Sequence, residues 1–156
     1  MNCRITLLAL ALFPLAASAS GNHMMGNTPG MPGMSAGQPN EIDRTIDITM
    51  DDQMRFSPDH LSVKAGQTIR FAVKNVGVQT HEMVIGSLDE LEEHAEEMRL
   101  QPDMAHDDPN MIQLAGGETG EIVWQFTEPG RVAFACLLPG HFEAGMKGSI
   151  EVLPTP

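Results

Sequence analysis

The feature that most constrains the fold is a series of short segments in which apolar and polar residues alternate. In residues 46–50 the apolar positions are 46, 48 and 50, and in residues 68–74 they are 69, 71 and 73. Alternation with period two buries one face of a β-strand. Gly, Pro and Asn separate these segments. Roughly seven or eight such strands, without alternating helices, predict an all-β antiparallel sandwich.

One stretch, residues 86–110, interrupts the β pattern. Ser87 and Glu90 have the spacing of a capping box, in which each residue satisfies a backbone N–H of the other. Apolar residues then recur at helical spacing, at Leu88, Leu91, Ala95 and Met98. We therefore expect one short helical insertion that ends near residue 100.

The chemistry of the chain is concentrated in residues 136–146, which contain Cys136, His141 and Met146. Gly and Pro within this stretch favour a loop, in which the three side chains can converge. A thiolate, an imidazole and a thioether are the ligands of a trigonal copper site, once a second imidazole completes the set. Spacing leaves four candidates for that imidazole: His60, His81, His94 and His106.

The N-terminus has the pattern of an export signal. Arg4 precedes an apolar run at residues 5–16, and small residues at 17–19 fit a cleavage site. We expect a signal peptide over residues 1–19, a periplasmic mature protein and no membrane span, because the apolar run is too short to cross a bilayer. Loss of Cys3 with the signal would leave Cys136 as the lone thiol, so a disulfide within the chain is excluded. The alternative role for Cys136 is that of a small buried apolar residue.

Residues 20–42 are rich in Gly, Pro and Asn and lack periodicity, which predicts a flexible segment. Thioethers select Cu(I), so the large side chains here are auxiliary Cu(I) candidates. These candidates are His23, Met24, Met25, Met31 and Met34. The alternative is a linker in which methionine has no metal-binding role.

The formal net charge of −12 limits the partners. Such a chain repels nucleic acid and anionic membranes, and it attracts metal cations and basic protein surfaces. We expect copper ions as partners, a basic redox or copper-trafficking protein as a further partner, and a monomer.

The order of motifs resembles the cupredoxins, the blue-copper proteins. The resemblance rests on Cys136-x4-His141-x4-Met146, on Asn75-Val-Gly77 followed by His81, and on Met54-Arg-Phe56-Ser-Pro58. It implies a Greek-key sandwich over residues 43–156 that holds one type 1 copper with His81 as the second imidazole ligand. The chain is similar more narrowly to periplasmic copper-tolerance cupredoxins with a Met/His-rich N-terminal segment.

The resemblance implies a redox-active Cu(I)/Cu(II) site that contributes to copper tolerance. The alternative is a soluble cupredoxin that shuttles electrons between redox partners. We do not expect an enzyme, because the sequence has no His-x-His pair to hold the further copper centres of an oxidase.

Two features depart from that pattern or extend it. Glu82 follows His81 where the family often has Asn, which there ties the two ligand loops together. A carboxylate beside a thiolate disfavours the charged form of each. The helical insertion and the residues after it also carry soft donors for a hypothetical auxiliary copper site: His94, Met98, Met104, His106 and Met111. Packing accounts equally well for Met98 and Met111.

Overall fold

The computed structural model of the chain describes residues 31–100 and 108–155. The strands are β1 (Met34–Ala36), β2 (Arg44–Asp51), β3 (Arg55–Ser57), β4 (His60–Lys64), β5 (Thr68–Asn75), β6 (His81–Gly86), β7 (Met111–Leu114), β8 (Thr119–Phe126), β9 (Gly130–Ala135) and β10 (Lys147–Leu153). The helix is α1 (Leu88–Leu100). The predicted signal peptide and the first part of the Met/His-rich segment lie outside the described residues.

The strands form two five-stranded sheets, ordered β1-β8-β5-β2-β3 and β4-β10-β9-β6-β7. The predicted all-β fold with a short helical insertion is confirmed. No helix in the described ranges is long and apolar enough to cross a membrane.

Strand direction differs from the antiparallel prediction at two places. β2 pairs with β5 in parallel, and β4 pairs with β10 in parallel. The reason is that β4 joins the second sheet before the chain returns to the first sheet as β5. A connection that crosses between the sheets allows two strands to pair in the same direction. Alternation within each strand does not reveal this direction.

The core lies between the two sheets. Trp124 of β8 is fully buried, as are Ile48 of β2 and Phe71 of β5. The rings of Phe56 and Phe134 meet edge to face across the two sheets, with centroids 5.0 Å apart and an interplanar angle of 79°. Such a pair contributes about 1 kcal/mol beyond the burial of its area, so it helps to fix one sheet against the other.

Helix α1 begins with the predicted capping box. The Glu90 carboxylate accepts a hydrogen bond from the Ser87 backbone N–H at 3.0 Å, and the Glu90 N–H donates to the Ser87 hydroxyl at 3.3 Å. The buried face of α1 packs with residues of β6 and β9 and of the loop after β9 in a second apolar cluster. Its buried members are Val84, Leu91, Ala95, Met98, Ala135 and Leu137. The helix therefore supports the strand that begins at residue 81 and the strand that ends just before residue 136.

Strand β1 is ordered structure inside the segment that the sequence predicts to be flexible. Met34 is 8% exposed and packs in the main core, and β1 pairs with β8 through Met34 and Phe126. The edge of β8 offers unpaired backbone groups and Met34 offers an apolar side chain. Together these order a Gly- and Pro-rich stretch that has no periodicity of its own.

Candidate metal centre

The predicted ligand residues lie at the ends of three neighbouring strands of the second sheet. Cys136 directly follows β9, Met146 directly precedes β10, and His81 is the first residue of β6. β9 pairs antiparallel with both β10 and β6, so the end of β9 lies beside the start of each of them. This sheet therefore carries the site at one end on rigid backbone.

The loop between β9 and β10 is closed by its own backbone hydrogen bonds. The Cys136 N–H donates to the Met146 carbonyl at 3.0 Å, and the Met146 N–H donates to the His141 carbonyl at 3.0 Å. Gly145 has a φ of 95°, a left-handed conformation that glycine adopts without steric cost. The loop thus folds back so that residues 136, 141 and 146 come close together in space.

His81, Cys136 and His141 form the cluster of possible metal ligands in the described residues. The Nδ1 of His141 lies 3.2 Å from the Cys136 Sγ and 3.2 Å from the His81 Nδ1, and one donor atom from each residue falls within 4.8 Å of the others. One soft thiolate and two imidazoles match the trigonal ligand set that copper favours. These residues can hold one metal ion.

The cluster is shielded from water on all but one side. His81, Cys136 and Met146 are each 0% exposed, whereas His141 is half-buried. His141 is the member of the cluster through which the site meets the surface.

Asp52 contacts the far side of the His81 ring. Its Oδ1 lies 3.1 Å from the His81 Nε2, and its carboxylate accepts backbone hydrogen bonds from the N–H groups of Val78 and Gln79. Those backbone bonds, together with the contact to His81, lower the pKa of Asp52. An ionised carboxylate is only an acceptor, so it holds the proton on Nε2 and directs the Nδ1 lone pair toward Cys136 and His141.

Gly77 is necessary for the approach of Asp52. A Cβ atom at position 77 would collide with the Asp52 Oδ1. The same short loop is held by Asn75, whose side-chain NH₂ donates to the carbonyls of Gln79 at 2.7 Å and Leu114 at 3.0 Å. The loop that leads into His81 is therefore fixed on both sides.

Glu82 ties the two ligand segments together. Its Oε1 accepts a hydrogen bond of 2.8 Å from the Leu137 N–H, and its own N–H points at the Cys136 Sγ at 3.4 Å. Glu82 is 2% exposed. The carboxylate at this position thus makes a link between the ligand loops, the task that the resemblance assigns to Asn.

Burial controls the protonation of the free site. Removal from water raises the pKa of the Cys136 thiol to about 12, and the Glu82 carboxylate adds to the rise while backbone N–H groups oppose it. Burial, followed by the neighbouring His81, lowers the pKa of His141. At neutral pH the metal-free cluster holds a thiol and a neutral imidazole at His141.

The other candidate residues do not join this cluster. His60 is exposed at the start of β4, where its Nδ1 lies 2.8 Å from Asp59, and His94 lies on α1. Met31 is half-buried and Met34 is buried in the core. Met98 and Met111 pack in the cluster beneath α1, and the other candidates lie outside the described residues: His23, Met24, Met25, Met104 and His106.

Sequence reasoning missed Asp52. It lies 29 residues before His81 and just beyond the end of β2. No spacing or periodicity around Asp52 signals a contact with a ligand, and the contact exists because the end of β2 lies beside the loop that precedes β6.

The chain matches the family model described as copper binding proteins, plastocyanin/azurin family, over residues 43–153. It is 44% identical to the copper-resistant cuproprotein CopI of Rubrivivax gelatinosus, over 94% of this chain and 93% of that protein. It is 34% identical to the copper-resistant cuproprotein CopI of Pseudomonas aeruginosa, over 92% of this chain and 91% of that protein.

A solved structure agrees with this assignment. Reduced auracyanin from the photosynthetic bacterium Roseiflexus castenholzii superposes with a TM-score of 0.60 and 25% identity, over 74% of this chain and 99% of that one. The match of the family model covers the strands and the loop that carry His81, Cys136, His141 and Met146. The chain therefore belongs to the plastocyanin/azurin family of copper-binding proteins.

Proposed function

We propose that this is a periplasmic, mononuclear type 1 copper protein that contributes to copper tolerance. The observation that carries the proposal is the buried cluster of His81, Cys136 and His141, whose donor atoms lie within 4.8 Å of one another. The names of the relatives from Rubrivivax gelatinosus and Pseudomonas aeruginosa, which describe copper-resistant cuproproteins, point to tolerance.

His81, Cys136 and His141 are the residues that would hold the copper, and Met146 would be a fourth, weaker ligand. Copper bound here would supply a one-electron Cu(I)/Cu(II) couple. The protein holds the two imidazoles and the thiolate in place through Asp52, Glu82 and the backbone bonds of the loop. That framework limits rearrangement between the two oxidation states.

A Cu(II) titration followed by visible absorption tests the site, with Cys136→Ser as the matched control. We expect an intense thiolate-to-copper band that saturates at one copper and is absent from the variant. Tolerance is tested by growth on copper of a strain whose chromosomal gene is deleted and which produces either the unmodified protein or Cys136→Ser from a plasmid. Equal growth of the two strains would remove the tolerance proposal while leaving the copper site intact.

The second candidate function is electron transfer between redox partners. The half-buried His141 favours it, because this residue links the ligand cluster to the surface. The structural similarity to auracyanin is compatible with either function. Loss of a respiratory or photosynthetic electron-transfer rate in the deletion strain, with unchanged copper tolerance, would favour this alternative.

The Met/His-rich segment is proposed to gather Cu(I), and the structure limits how it can be tested. Met34 packs in the core, so a deletion that extends through residue 40 would remove β1 as well. A deletion of residues 20–30 leaves β1 in place and removes His23, Met24 and Met25. Unchanged Cu(I) uptake by this shorter deletion would rule out those three ligands.

A further inference from the structure

A cavity of about 230 Å³ lies between α1 and the edge strand β7, away from the ligand cluster. Among its lining residues are Met31, which precedes β1, His94 of α1 and Met111 of β7. Three sulfur or nitrogen donors from separate parts of the chain therefore share one cavity. Their distances in the sequence gave no indication that Met31 belongs with the other two.

The cavity is distinct from the proposed type 1 site. Met111 pairs with Val84 and Leu114 pairs with His81, so three residues of β7 separate the two places. At the rise of a β-strand this separation is about 10 Å along the sheet. None of the proposed type 1 ligands lines the cavity.

The backbone around the donors is fixed. The Met34 N–H donates to the Met31 carbonyl at 3.3 Å, and the Met111 N–H donates to the Asp108 carbonyl at 3.1 Å. The buried Asn110 donates its side-chain NH₂ to the Ile85 carbonyl at 2.8 Å. Methionine side chains have three rotatable bonds, so they can close on an ion while this frame stays in place.

The charges around the cavity favour a cation. The carboxylates of Glu90 and Asp108 also belong to its lining. The Glu97 Oε2 lies 3.4 Å from the His94 Nδ1, where a carboxylate favours the tautomer with the proton on Nδ1. In that tautomer Nε2 is the nitrogen that can bind a metal.

Two thioethers and an imidazole are soft and borderline donors, a set that prefers Cu(I) to Ca²⁺, Mg²⁺ or Cu(II). We propose that Met31, His94 and Met111 form a second copper site that takes Cu(I) in the cavity between α1 and β7. This site does not depend on the type 1 centre, because it shares no ligand with it.

Packing is the alternative role for these methionines. Met31 packs against the main core, and Met111 packs against the cluster beneath α1. Leucine replaces methionine with little change in volume but without the sulfur, so leucine variants separate the two roles. Met98 of α1 provides the matched control, because it is buried in the same cluster and does not appear among the cavity's described lining residues.

The test uses the full mature chain with Cys136→Ser, so that the type 1 site lacks its thiolate and any copper still bound there is the same in every variant compared. Cu(I) is titrated anaerobically against the chromophoric chelator bicinchoninate. We expect Met31→Leu and Met111→Leu each to weaken one Cu(I) site at least tenfold. The triple variant with His94→Gln should lose one equivalent, and Met98→Leu should retain it. Equal uptake by all these variants would overturn the proposal.

A residue-specific measurement separates this site from the Met/His-rich segment. In protein labelled with ¹³C at the methionine methyl groups, the Met31 and Met111 signals should shift together on the first additions of Cu(I). They are assigned by the leucine variants. Shifts confined to other methionines would overturn the proposal even where a variant folds poorly.

Discussion

The Asp52 carboxylate lies 3.1 Å from the Nε2 of His81, while the Nδ1 of the same ring lies 3.2 Å from the Nδ1 of His141. The imidazole is therefore held between a carboxylate and the ligand cluster. A carboxylate behind a metal-binding histidine fixes the tautomer and the orientation of the ring, and its charge stabilises the more highly charged metal ion.

Asp52→Asn should weaken Cu(II) binding by about tenfold. Loss of a residue that hydrogen-bonds to a metal-binding histidine costs about 10- to 100-fold in metal affinity. If Cu(I) binding is unchanged, the reduction potential rises by about 60 mV. Protein-film voltammetry and Cu(II) competition measure both quantities. Asp51→Asn is the control, since Asp51 bonds to the Gln53 N–H and not to His81. Identical potentials for the two variants would contradict the role of Asp52.

Glu82→Ala should destabilise the copper-free protein by about 1–3 kcal/mol, because it leaves the buried Leu137 N–H without its partner. Glu82→Gln keeps an acceptor oxygen and should cost less. Urea unfolding of the metal-free variants measures the difference. If both variants lose the same stability, the hydrogen bond to Leu137 is not the origin of the effect.

Copper binding should depend steeply on pH, because the metal requires the thiolate while burial raises the pKa of the Cys136 thiol to about 12. Below that pKa, binding displaces the thiol proton, so apparent affinity rises about tenfold for each pH unit as pH increases. Because the pKa of His141 is lowered, this imidazole carries no proton that would compete with the metal at neutral or higher pH. We expect this slope between about pH 7 and 9.

Competition with a chelator at several pH values measures the slope, after correction for the chelator's own protonation. Cys136→Ser removes the titrating thiol and should leave residual metal binding with a much flatter pH dependence. A flat profile for the unmodified protein would mean that the free thiol already ionises near neutral pH.

Met146→Leu and Met146→Gln should both retain copper, because a weakly bound thioether contributes little to affinity beside a thiolate and two imidazoles. Met146 is fully buried in the main core, so leucine preserves most of the packing there. We expect a higher reduction potential with Leu, a lower one with Gln, and a shifted absorption spectrum with Gln. Complete loss of copper from both variants would show that Met146 is more than a weak ligand.

The local patterns of the sequence predicted much of the fold. Alternation marked β2 and β5, and the pair Ser87 and Glu90 predicted the start of α1. These features depend on the period of one strand or on two residues a single helical turn apart. The loop that carries Cys136, His141 and Met146 was also evident, because its donors lie within eleven residues.

The sequence by itself determined which segments form strands, where the helix lies and which metal-binding side chains the ligand loop carries. The tertiary structure decided which residues distant in the sequence contact each other: Asp52 with His81, Glu82 with Leu137, and Met31 in one cavity with His94 and Met111. It also set the parallel pairing of β2 with β5 and the burial of Met34. These contacts depend on how the two sheets order and align their strands. The physical reason is that periodicity specifies which face of a strand is buried, but not which strand becomes its neighbour.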